Sequence, residues 1–228
     1  MTIQKRLLSI IKSDKTDVAV TVATAAVSAA NPLTGIFLTA VHEISGLADE
    51  IRIDAVIKGL STELNQEDQV NQLYGYVEKS EENAFYVVNT LRKALLADSL
   101  IACTIMGRML ACHIDGKTPY DQNDNIIFHA LESATDDDIT QFYEVMKEHM
   151  AKDEDGNDVF HIPNCVMEND DFMASLDWCV FNRLFNGTSG VSWTDEGQNY
   201  DKSHSPNNAA FRLKEYVDSV KQVLEYGK

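Results

Sequence analysis

The stretch VAVTVATAAVSAANPLTGIFLTAV, residues 18–41, holds 24 residues and no charge. A run of this kind is a membrane span, a cleaved export signal, or helix buried inside a folded domain. The small residues of AVSAAN resemble a signal cleavage site. The basic leader before the run, however, is 17 residues long and mixes Asp14 and Asp17 with Lys5, Arg6, Lys12 and Lys15, which is a poor leader. A single span needs about 20 apolar residues in a helix. Here Ala, Thr and Ser dominate, and Asn31-Pro32 falls near the middle of the run. Proline disfavours helix at the residue before it and cannot donate within one. The run therefore predicts two helical arms, 18–30 and 33–47. Each is roughly 20 Å long, too short to cross a bilayer. Small side chains let two such arms pack closely. The expectation is a hairpin shielded by its own chain or by a partner subunit. The alternative is a stored element that later inserts into a membrane, with Val20, Val22, Ile36, Phe37 and Leu38 as the side chains offered to the bilayer or partner.

Helical spacing dominates the rest of the chain. Ile3, Leu7, Ile10 and Ile11 share one face over residues 2–13, and apolar spacing resumes after 42 in HEISGLADEIRIDAVIKGLS. A long helical region is predicted from about Gln66 to His113. Ser80, followed by Glu81 and Glu82, can start a new helix inside it, because acidic side chains favour a helix N-terminus. HIDGKTPYDQND reads as a loop and 123–133 as a short helix. Thr135 caps the next helix, with Asp136, Asp137 and Asp138 in its first turn. DEDGND reads as a tight turn into a short strand VFHIP. DDFMASLDWCVFNRLF is an amphipathic helix. After it come a turn and strand NGTSGVSW, a polar loop TDEGQNYDKSHSPNN, a second strand AAFRL and a final helix KEYVDSVKQVLEY. That order matches the back half of a winged-helix unit. The expected fold is mainly α: a helical bundle over 1–150 that includes the apolar hairpin at 18–47, and a small winged-helix-like α+β unit over 151–228.

Charge narrows the function. The net formal charge is −17, and the middle of the chain, 98–171, holds 4 basic against 17 acidic side chains. Nucleic-acid affinity comes largely from Lys and Arg displacing counterions, so no nucleic-acid partner is expected. The last 57 residues hold 6 basic and 7 acidic side chains; Arg183, Lys202, Arg212 and Lys214 are too balanced for a DNA reader. Cys103, Cys112, Cys165 and Cys179 form no CxxC pair and fit small buried thiols in a reducing cytoplasm.

Site chemistry is sparse. The acidic turn 153–158 suggests calcium, but an EF-hand numbered from Asp153 places Asp158 where Gly belongs and Asn164 where Glu belongs. His42, His113, His129, His149, His161 and His204 show no zinc-helix spacing. Cys103, Cys112 and Cys179 lie in apolar contexts that keep a thiol protonated, while Cys165 is nearer a loop. NGTSG fits neither a phosphate loop nor a nucleophile elbow. Trp178, Phe181, Trp193, Tyr200, Phe211 and Tyr216 predict an aromatic core under the C-terminal unit. No metal and no cofactor is expected, and no residue is assigned to catalysis.

AANPLTGIFLTAVHEISGLADEIRIDAVIKGL and FNRLFNG…FRLKEYVDSVKQVL resemble bacterial helical proteins that join an apolar N-terminal segment to a winged-helix-like C-terminus. The resemblance implies an effector of defence or toxin type that acts at a membrane, and it carries over no catalytic residue. The expected function is a non-enzymatic interaction protein of bacterial or phage type, cytoplasmic, with a protein partner or a second copy of itself and an inducible membrane step. An enzyme assembled from scattered His, Cys and Asp is the alternative from another class. A winged-helix regulator is a third, disfavoured by charge.

Overall fold

Glycines at two positions decide how the first helices meet. The computed structural model describes residues 47–64, 69–116, 120–152, 156–160, 170–194 and 197–225. The apolar run 18–41, with Val20, Val22, Ile36, Phe37 and Leu38, lies outside them. So do His42, Asp153, Asp155, His161 and Cys165. Among the described residues the chain is mostly helical, with two small antiparallel sheets. It divides into two compact units. One runs to Tyr120 and takes in the chain from Ser219; the other is Asp121–Asp218.

The first unit contains α1 (Leu47–Leu60), α2 (Gln69–Lys79), α3 (Glu81–Leu96) and α4 (Leu100–Ile114). In α4, LIACTIMGRMLACHI, Arg108 is the one Lys or Arg and no acid occurs. A helix apolar all round belongs in the middle of a bundle, and here eleven of its residues are buried, from Ala102 to His113. Ile53, Val56, Ile57 and Leu60 of α1 are buried as well. A Cβ added to Gly59 would lie 1.9 Å from the Thr104 carbonyl oxygen, and one added to Gly107 would lie 2.1 Å from that of Val56. The backbones of α1 and α4 thus touch where neither has a side chain. Beside the crossing, Arg108 forms an ion pair with Glu63 and donates to Thr62 Oγ1 at 3.1 Å. Hydroxyls within the core bond to main chain: Thr90 to Tyr86 O at 2.8 Å and Thr104 to Leu100 O at 2.9 Å. Buried polar groups need such partners.

The helical region predicted over 66–113 holds three helices from Gln69 on, with the expected new start at Ser80 and a further break at 97–99. Ser80 caps α3 by accepting from Asn83 N–H at 3.1 Å. Ser99 caps α4 by accepting from Ala102 N–H at 2.9 Å. The second break follows from the extended backbone at Ala97 and Ser99. Apolar spacing runs straight through ALLADSLIAC and hides it.

The second unit contains α5 (Gln122–Ser133), α6 (Asp136–Glu148), β1 (Met150–Lys152), β2 (Asp158–Phe160), α7 (Asp170–Phe181), β3 (Phe185–Thr194) and β4 (Gly197–Pro206). The last helix, α8 (Asn208–Glu225), begins in it. Both α5 and α6 start with capping boxes, Asp121 with Asp124 and Thr135 with Asp138. In such a box each side chain satisfies the other's orphan N–H. β1 and β2 form a short hairpin with Met150 opposite Phe160, and Lys152 pairs with Asp158 at 2.6 Å. β3 and β4 form a longer one, from Phe185 opposite Pro206 to Thr194 opposite Gly197.

Two C-terminal assignments change. TDEGQNYDKSHSPNN is predicted as a loop, and its Gly197–Pro206 forms β4; AAFRL is predicted as a strand and lies in the first turns of α8. Main-chain pairing with β3 holds β4, so its side chains need not alternate. For α8, Asn207 Oδ1 accepts from Ala210 N–H at 3.0 Å as a cap. Ala209, Ala210, Leu213, Tyr216, Val217 and Val220 then fall on one buried stripe, a period of 3.6 rather than 2.

The aromatic core is also redistributed. Phe142 stacks on Phe185 at 5.8 Å, and Phe160 meets Phe185 at 4.5 Å. Phe172 and Tyr216 are buried, whereas Phe181, expected in the core, is 86% exposed. It ends α7 beyond the buried stripe of Phe172, Leu176 and Cys179.

Candidate functional site

The sequence YGYVEKSEENAFY, 74–86, crosses the turn between α2 and α3. Ser80 ends one helix and caps the next, and the Asn83 side-chain amide donates to the Tyr76 carbonyl at 2.9 Å. These bonds fix the corner. Glu82, Phe85, Tyr86 and Asn89 then recur at helical spacing along α3. Across from them, His113 stands in the last turn of α4. Gly116, with φ of 72°, turns the chain in a left-handed conformation that glycine adopts without strain. The chain returns at Tyr120.

Together these residues enclose a cleft of about 850 Å³ within the first unit, lined by Tyr76, Glu81, Glu82, Asn83, Phe85, Tyr86, Asn89, His113, Gly116 and Tyr120. That volume lies in the range of small-molecule sites. Its wall is a ring cluster: Tyr86 and His113 meet edge to face at 4.8 Å, Tyr86 and Tyr120 at 5.0 Å, and His113 and Tyr120 at 6.0 Å. Tyr86 and His113 are buried, while Phe85 is 53% and Tyr120 45% exposed. Burial pushes the Tyr76 phenol above its ordinary value. Two carboxylates line the cleft, and none of the residues named is Lys, Arg, Ser or Cys. Among the described residues, the wall therefore offers ring faces, amides and negative charge.

A smaller depression of about 290 Å³ lies in the second unit, between Gln122, Asn125, Ile126 and His129 of α5 and Phe181, Asn182 and Arg183 at the end of α7. Arg183 has φ of 59°. Its N–H donates to Val180 O and that of Leu184 to Cys179 O. This is the double bond pattern of a helix terminus that usually carries glycine.

Of the histidines and cysteines weighed as site candidates, His113 is the one among the described residues that lines the cleft. His129 is exposed and pairs with Glu132 at 3.6 Å. His149 ends α6 against Phe172, and His204 lies on β4. Cys103, Cys112 and Cys179 are buried, and the Cys103 thiol donates to Ala94 O at 3.2 Å. Burial, and then the charge of Asp138, push the Cys179 thiol well up. Among the described residues, no group of His, Cys, Asp and Glu is placed to hold a metal ion, and no helix is long and apolar enough to cross a membrane. The cleft itself was missed, although the density of Tyr, Phe and Glu over 74–86 is a visible signal. No family model, curated protein or solved structure matches the chain.

Proposed function

We propose that the protein is a non-enzymatic interaction protein that takes its ligand in the aromatic cleft of the first unit. The observation that carries this reading is the exposure of Phe85 and Tyr120 on the wall of a cavity of about 850 Å³. Large rings at about half exposure on a cavity wall offer binding area with few rotatable bonds to fix. The test is a ligand-observed NMR screen of small aromatic and aliphatic fragments against the wild type and a Phe85→Ala/Tyr120→Ala double variant. Both rings are exposed enough to remove without unfolding the unit. The expected result is a set of fragments that bind the wild type and lose binding in the variant. Fragments that bind both proteins equally, or a screen with no hits, would sink the reading.

Two finer readings belong with it. The order α7, β3–β4 hairpin, α8 supports a winged-helix-like unit, and its charge balance speaks against DNA as its partner. The uncharged run 18–41 supports a latent membrane step. Wild type that releases no dye from neutral or anionic vesicles at any pH tried removes that step.

A further inference from the structure

We infer that the cleft is selective for an organic cation: an ammonium head wrapped in alkyl groups, on a small apolar body. This rests on the reading of the cleft as a binding site and adds the ligand's chemistry. Tyr86, His113 and Tyr120 are held in mutual ring contact, and Phe85 stands exposed in the same wall. Aromatic faces carry negative potential that attracts a poorly hydrated cation. Glu81 and Glu82 supply matching charge, and among the described residues no basic side chain lines the cleft. The chain's net charge of −17 raises the local concentration of cations further.

Other ligands fit worse. A divalent metal wants about six oxygen ligands, and among the described lining residues only Glu81 and Glu82 bring carboxylates. An anion would meet two carboxylates. A purely apolar ligand would pack on the rings and leave the two carboxylates without a counter-charge. An alkylated ammonium satisfies both features, because its methyl groups pack on rings while its charge faces the acids. The cavity is much larger than one such head, which leaves room for the body that carries it.

The probe is choline, titrated into the intact protein at low salt and followed by NMR, beside 3,3-dimethylbutan-1-ol, which has the same shape without the charge. Choline is expected to shift Tyr120 and His113 signals saturably, at least about tenfold more tightly than the alcohol. Glu81→Gln/Glu82→Gln should weaken choline by about tenfold and leave the alcohol unchanged. Phe85→Ala/Tyr120→Ala should abolish both. Equal binding of choline and alcohol overturns the cation selectivity while the cleft stands as a site. Choline shifts that survive the double ring variant place the cation elsewhere and overturn the proposal. So does saturable calcium binding that competes with choline. If neither probe binds, the cation inference falls. The fragment screen then decides separately whether the cleft binds anything.

Discussion

The two units solve helix packing by opposite means. In the first, α1 and α4 bring bare backbone together at Gly59 and Gly107, with the Arg108–Glu63 pair beside the crossing. In the second, charge reaches into the packing. Asp124 at the start of α5 is fully buried. Arg212 of α8 donates to it at 3.2 Å, and to the two carboxylate oxygens of Asp121 at 2.9 Å each. Asp138, the partner of the α6 cap, also accepts from Ser175 of α7 at 3.0 Å. A glycine crossing fails when anything is added to it. A carboxylate clasp fails when something is removed or when a proton arrives.

The largest effect is expected at the crossing. Gly107→Val or Gly59→Val puts carbon inside a carbonyl of the facing helix, so the helices must part. The expected loss is about 3–5 kcal/mol, at or above the upper end for overpacking, read from the urea midpoint. Gly75 has nothing within 4 Å of an added Cβ, so Gly75→Ala is the control and should be neutral or stabilising. A Gly107→Val protein as stable as wild type would mean that the crossing is loose.

Next comes the clasp. Arg212→Met keeps the apolar stem and leaves Asp124 buried beside Asp121 without its cation. Removing one partner of a fully buried pair costs about 3–5 kcal/mol. Because Arg212 is 23% and Asp121 37% exposed, roughly 2 kcal/mol is expected here. The clasp also sets a pH dependence. Burial raises the Asp121 carboxyl, but hydrogen bonds from Arg212 and from the Asp124 and Asn123 N–H groups, with the Arg212 charge, outweigh it and hold the group below the usual carboxylate range. Its contribution is therefore complete above the range where an unfolded Asp titrates, and is lost as pH falls through the lowered folded value. The stability gap between wild type and Asp121→Asn should be widest near neutral pH and close in strong acid. A gap that stays constant would show that Arg212 does not hold this charge.

The smallest effect is a gain. Arg183 occupies the left-handed position that ends α7, where a non-glycine residue costs about 1–2 kcal/mol. Arg183→Gly should raise stability by somewhat less, about 0.5–1 kcal/mol, since glycine also gains entropy when unfolded. A loss instead would mean that the Arg183 side chain contributes more than its backbone strain costs.

What the sequence determined by itself was local. Thr135 with three aspartates marks a helix start because a cap bonds within its own first turn. Ser80 marks another for the same reason. The apolar run of α4 announces a buried helix from composition alone. The start of α8 could have been read the same way, since Asn207 caps it and its apolar residues keep helical period; the strand expected at AAFRL overlooked that period. Tertiary structure decided the rest. Gly59 faces α4 and Gly107 faces α1 only once both helices exist, and nothing near either glycine in the chain marks a crossing. Arg212 reaches Asp124 from 88 residues away. β4 is a strand because β3 lies beside it, and a main-chain ladder leaves no mark on side-chain pattern. The cleft divides between the two. Its rings and carboxylates over 74–86 were visible as composition. His113 and Tyr120, however, join them only because α4 folds back along α3 and Gly116 turns the chain, and the contact that makes a site is a distance in space rather than in sequence.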